Sequence, residues 1–162
     1  MIVGQWMTQV RSARVKYIAP LLVGVLAAPA AHALDAAQWR AVAPAIQAAL
    51  ECRTQPDTDS AAWKALARSA SGEFKPITPP VPFAVFGLPV REVSIYIDPD
   101  GDLGESYTAA FNASAAAVRK AAKLAANGGR TTTMGELMLG EGSSSLTCTV
   151  MGTYDESDYQ EP

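Results

Sequence analysis

Apolar residues fall at helical spacing early in the chain, at Trp39, Val42, Ile46, Ala49 and Leu50. Residues 35–51 therefore read as helix, with Asp35 as N-cap. Pro44 lies inside that stretch. It lacks an N–H and its ring meets the preceding turn, so a kink or a split into two short helices is expected. Ser60 opens a second short helix with Trp63 and Leu66 inward, closing near Arg68 before the small polar run 69–72. Trp39 and Trp63 both sit at inward spacing and read as core. Four prolines in residues 76–82 rule out a helix or a central strand. Residues 74–82 are accordingly expected to run extended over the surface.

The period then changes from 3.6 to 2. Residues 83–86 suggest a short strand, and 87–89 a break. From Val90 to Asp98, Val93, Ile95 and Ile97 alternate with Glu92, Ser94 and Tyr96. After a turn over 98–104, residues 105–111 return with Tyr107, Ala109 and Phe111 on one face, which predicts an antiparallel hairpin. Asn112 or Ser114 caps a helix read through Ala126, ended by Asn127-Gly128-Gly129. Residues 131–139 and 145–154 supply two more strands around the turn 140–143. The last nine residues, 154–162, hold four acids and no base and read as a disordered tail.

The predicted order is α-α-β-β-β-α-β-β. It implies an α+β domain over residues 34–153, with a small, mainly antiparallel sheet and helices packed on one face. The two cysteines, Cys52 and Cys148, form an even count in a chain read as exported, which points to one disulfide. There is no C-x-x-C to suggest a redox pair.

Export is inferred from the front of the chain. Arg11, Arg14 and Lys16 precede an apolar run from Tyr17 to about Ala30, and Ala31-His32-Ala33 has the small-x-small form of a signal-peptidase site. Cleavage after Ala33 is expected, from a start at Met1 or Met7. The run is shorter than the roughly 20 residues of a membrane span, and Pro20 and Pro29 interrupt it. The predicted product is a periplasmic or secreted domain without stable membrane insertion. Removing three bases and no acid moves the net charge from −3 to −6. That sign disfavours nucleic acid as a partner.

Cleavage also removes His32, the only histidine. Imidazole-dependent triads, Cys-His nucleophiles and most catalytic zinc sites are thereby excluded. An S-x-x-K dyad is absent, and a disulfide leaves no cysteine nucleophile. Paired carboxylates remain as a catalytic design. The natural candidates are Glu92 and Glu105, read as facing one another across the hairpin. Asp98, Asp100 and Asp102 imitate the start of an EF-hand loop, but Leu103 occupies the position that needs Gly and Ala109 the one that needs Glu. Tyr96, Tyr107, Tyr154 and Tyr159 stand near acids and are candidate partner contacts.

Three functions follow, in order of support. The first is an exported, non-enzymatic protein-binding domain without cofactor, such as an inhibitor or immunity-type partner of an exported hydrolase or toxin. The second is a carboxylate-dependent hydrolase of cell-wall glycan. The third is a weak calcium or small-ligand module on Asp98, Asp100 and Asp102.

Overall fold

The computed structural model describes residues 34–153. The leader with its predicted cleavage site, and the acidic tail with Tyr154 and Tyr159, lie outside the described residues. The chain forms α1 (Ala36–Leu50), α2 (Ala61–Lys64), β1 (Ala84–Val85), β2 (Leu88–Ile97), β3 (Glu105–Phe111), α3 (Ala115–Ala121), β4 (Gly129–Thr131), β5 (Glu136–Leu139) and β6 (Ser145–Val150). The strands make one antiparallel, curled sheet in the order β1-β2-β3-β6-β5-β4. The α+β class and the single disulfide stand as read from the sequence.

α1 begins on a capping box. Asp35 Oδ1 accepts from the N–H of Ala37 and Gln38, and the Gln38 side chain accepts from the Asp35 N–H. Pro44 does not split it: the helix is continuous from Ala36 to Leu50. Pro44 is exposed. The buried stripe of Trp39 and Val42 before it, and Ile46, Ala49 and Leu50 after it, holds both halves against the sheet. That burial outweighs the roughly 3 kcal/mol a proline costs inside a helix.

The helix ends in a Schellman motif. Arg53 N–H donates to Ala48 O and Cys52 N–H to Ala49 O, with Cys52 at φ 56°. Cys52 is thereby turned inward to bond Cys148, in the middle of β6, at a Cα–Cα distance of 5.4 Å and a sequence separation of 96. The staple ties the helix end to the centre of the sheet.

Several boundaries differ from the sequence reading. Residues 87–89 are not a break: β2 starts at Leu88 and runs through Pro89. The turn before it is Phe86–Gly87, with φ of 51° and 75°. Positive φ at both central residues suits a two-residue hairpin. The proline-rich segment does more than cross the surface. Phe74 N–H donates to Ile95 O, and Ile77 and Val93 exchange N–H···O bonds, so the segment borders β2 where β1 stops. Prolines are tolerated there because the segment lies on an edge.

α3 ends at Ala121 rather than Ala126. A second Schellman motif forms, with Leu124 N–H on Arg119 O, Lys123 N–H on Lys120 O, and Lys123 at φ 54°. Local hydrogen bonding outcompetes the glycines expected to cap it. The predicted strand 131–139 is two strands, β4 and β5. Thr132 folds the chain between them: its Oγ1 donates to Gly135 O and accepts from the N–H of Met134 and Gly135.

The core lies inside the curl. Val93, Ile95, Tyr107, Ala109, Phe111, Leu137, Leu146 and Cys148 of the sheet meet Trp39, Val42, Ile46 and Leu50 of α1, and all are buried. Trp39 packs edge-on against Phe83 at 5.0 Å, and Trp63 against Phe74 at 6.0 Å. The two outer strands approach each other across the curl, where the Arg130 guanidinium of β4 sits 5.5 Å from the centre of the Phe86 ring.

Candidate functional site: the outer face of the sheet

Alternation along β2, β3, β6 and β5 puts apolar side chains inside and a second set outside. Register fixes which outer residues are neighbours. One rank runs Glu73–Tyr96–Ser106–Thr149–Glu136. The next runs Ser94–Thr108–Thr147–Met138, and a third begins Glu92–Ala110–Ser145. None of these side chains is buried. The first rank thus carries three hydroxyls flanked at both ends by carboxylates, and no Lys or Arg occurs in any of the three.

The hydroxyls are partly tied to one another. Thr108 and Thr147 share a hydrogen bond of 2.8 Å between their Oγ1 atoms. Tyr96 donates its hydroxyl to Asp98 Oδ1 at 3.3 Å. Its phenol is pushed above the ordinary range by burial, then by the Asp98 and Glu73 carboxylates. The face is therefore both protonated and negative in field at that end. Ser94, Tyr96, Ser106 and Thr108 line a shallow depression of about 270 Å³ with Glu73 and Pro76.

Of the residues singled out in the sequence, Tyr96 sits on this face. Tyr107 does not. It is 0% exposed, on the inner face, and donates its hydroxyl to Glu105. Burial first, and that bond second, hold its phenol far above the ordinary range. Tyr107 is a core residue and unavailable to a partner; its period-2 company with Ala109 and Phe111 already carried that signal.

Glu92 and Glu105 do not face one another. Glu92 pairs with Ala110 and Glu105 with Ile97, at opposite ends of the hairpin, and alternation places them on opposite faces. The extra residue Arg91, at a bulge between Val90 and Glu92, does not bring them closer. A joint role in glycan hydrolysis is excluded by that separation.

The aspartates of the 98–104 turn serve the turn itself. Asp98 Oδ2 accepts from the Leu103 N–H at 3.0 Å, and Asp102 Oδ1 lies 3.4 Å from Thr153 Oγ1. Gly104 is required there, since a Cβ on it would lie 2.1 Å from Val150 O. Among the described residues no three His, Cys, Asp or Glu side chains are grouped so as to hold a metal ion, Asp98, Asp100 and Asp102 included.

Two features went unseen in the sequence. Glu51, at the end of α1, accepts from the Phe86 N–H at 3.1 Å, from Gln47 Nε2 and from Arg53 Nε, which pins the β1–β2 turn to the helix. Burial pushes its carboxyl up, but those three donors together hold it below the ordinary carboxylate range. The other is a groove of about 740 Å³ walled by residues 78–84 with Arg91 and Asn112. Compared with protein-family models, curated proteins and solved structures, the chain matches none.

Proposed function

We propose that this chain is an exported, non-enzymatic protein-binding domain that docks a basic protein surface on the outer face of its sheet. The single observation that carries this reading is the rank Glu73–Tyr96–Ser106–Thr149–Glu136, a row of half-buried hydroxyl residues closed at both ends by exposed carboxylates. Hydroxyls on a rigid sheet adapt to many donors and acceptors, and an aromatic ring among them supplies contact area at small entropic cost. Flanking carboxylates without bases attract Lys and Arg, speed encounter and repel acidic surfaces. The periplasm, or the medium beyond it, is the proposed site of action. The disulfide agrees with an oxidising compartment. No helix among the described residues is long and apolar enough to cross a membrane.

An inhibitor or immunity-type partner of an exported hydrolase belongs to this class, because a hydrolase acting on an anionic polymer gains from a basic cleft that concentrates its substrate. The test is titration of the purified chain against basic and acidic exported hydrolases, lysozyme among the basic ones, by calorimetry at low and high salt. Binding confined to the basic proteins, weakened by salt and lost in Thr108→Lys and Thr147→Lys, supports the reading. No binding to any basic member, or binding that the two lysine variants leave unchanged, overturns it.

A further inference from the structure

Charge is divided unevenly between the two sides of this sheet. The outer ranks hold carboxylates and no Lys or Arg. Residues 112–135 hold the reverse: four bases, Arg119, Lys120, Lys123 and Arg130, and no acid. Arg130 is turned to the Phe86 ring. The other three gather at one place. Arg119 and Lys120 fill the last turn of α3, and Lys123 is the left-handed residue just beyond it. Lys120 and Lys123 are exposed. Arg119 donates to the carbonyl oxygens of Ala125 and Ala126, which leave its charge uncompensated. The ion pairs among the described residues, Arg53–Glu51 and Lys64–Asp59, involve none of the three. The negative end of a helix accounts for a cation in its last turn. It does not account for the lack of any acid throughout residues 112–135.

Val118 and Ala122 fix the direction of this basic surface. Both are buried in the core inside the curl, so the exposed lysines of α3 face away from it, on the other side of the sheet from the outer ranks. The acidic and basic surfaces therefore cannot meet within one chain, but they can meet between two. Contact between two different patches is heterologous and repeats from copy to copy. Net negative charge makes copies repel at long range. At physiological ionic strength the screening length is about 8 Å, which damps that repulsion and leaves close opposite charges attracting.

We infer that the basic end of α3 docks on the outer face of a second copy of this chain, Lys120 and Lys123 meeting carboxylates of its first rank, so that copies stack head to tail. This rests on the outer face being a dock for basic surfaces and names the chain itself as one of them. A copy docked in this way covers the face until a basic target displaces it.

The experiment is sedimentation velocity of the full chain over a range of concentrations at physiological and high salt. The expected result is an apparent mass that rises with concentration at physiological salt and returns to that of one chain at high salt. Two charge-reversed variants, each checked for a cooperative melt, are compared with it: Lys120→Glu with Lys123→Glu, and Glu73→Lys with Glu136→Lys. Each alone is expected to remain a single chain, and their equimolar mixture to associate again, because each supplies the surface the other has lost. The milder pair Lys120→Gln with Lys123→Gln should also remain single. A parent chain that stays single at every concentration overturns the proposal, as does association that either reversed variant retains or a mixture that fails to restore it. The reading of the outer face is separable, since Lys120→Glu with Lys123→Glu leaves that face intact and should bind basic hydrolases as the parent does. Such binding without self-association of the parent sinks the stacking alone, whereas loss of both sinks the dock itself.

Discussion

The two faces of this sheet are built from the same strands yet differ in almost everything else. Leu146 and Thr147 are neighbours in sequence on β6. One is fully buried against α1, and the other is half-buried on the outer face, sharing a hydrogen bond with Thr108. Tyr96 and Tyr107 repeat the contrast on β2 and β3: one phenol meets solvent and the carboxylate of Asp98, the other is sealed in the core. The inner face is determined by burial, which allows little choice of side chain. The outer face carries no such demand, yet its ranks hold mainly hydroxyls and acids, with Ala110 and Met138 the exceptions.

The contrast is broken most severely by removing the staple. Replacing Cys52 and Cys148 together with Ala frees a loop whose ends are 96 residues apart. For about 100 residues the chain-entropy argument gives about 4.7 kcal/mol, an upper figure for the lost stability. Denaturant titration of the double variant against the parent measures it. A loss below about 1 kcal/mol would mean that the inner face holds α1 without covalent help.

Next in size is the adjacent pair on β6. Leu146→Ala empties a buried site and is expected to cost about 2–5 kcal/mol. Thr147→Ala, one residue on, is expected to cost no more than about 1 kcal/mol, the worth of a partly exposed hydrogen bond. Equal losses in thermal melts of the two variants would erase the distinction between the faces.

Much of the inner face was legible because burial writes a period. Val93, Ile95 and Ile97 gave β2, and Trp39, Val42 and Ile46 gave α1. The predicted cysteine pair follows from their even number in a chain read as exported. What was illegible lay where a local bond or a distant contact decides. The end of α3 depends on a backbone motif at Lys123 that residue types do not announce, and the β4–β5 turn depends on one Thr132 hydroxyl. Glu92 and Glu105 looked like a facing pair until register set them apart. The ranks of the outer face span β2, β3, β6 and β5, whose lateral order no single segment encodes. Glu73 reaches that face only because a proline-bearing edge segment pairs with β2.

Glu51 pins the β1–β2 turn to the end of α1, and its titration sharpens the comparison at moderate cost. Its folded pKa lies below the ordinary value of 4.5, so the folded state binds its proton less readily than the unfolded chain. The stability it contributes is present above about pH 4.5 and is lost as the pH falls through the lower folded value. Glu51→Gln removes the charge and is expected to cost about 1.5–3 kcal/mol at pH 7, as for a charged hydrogen bond. Melting curves of parent and variant should therefore converge on acidification below pH 4.5. A constant gap across that range would assign the loss to packing instead.

The smallest expected effect tests whether the outer strands need to meet at all. Arg130 reaches across from β4 to the Phe86 ring, whose backbone is held at a positive φ by Gly87 and the Glu51 carboxylate. Arg130→Met keeps most of the aliphatic contact and removes the cation. The expected loss is about 0.5–1 kcal/mol, the worth of an exposed cation–π contact. Amide exchange should report it locally, with faster exchange at Leu88 and Gly129 and unchanged protection along β3 and β6. Acceleration spreading to β3 and β6 would show that closure of the curl supports the central ranks. The order of the outer face would then depend on a contact made on the opposite side of the sheet.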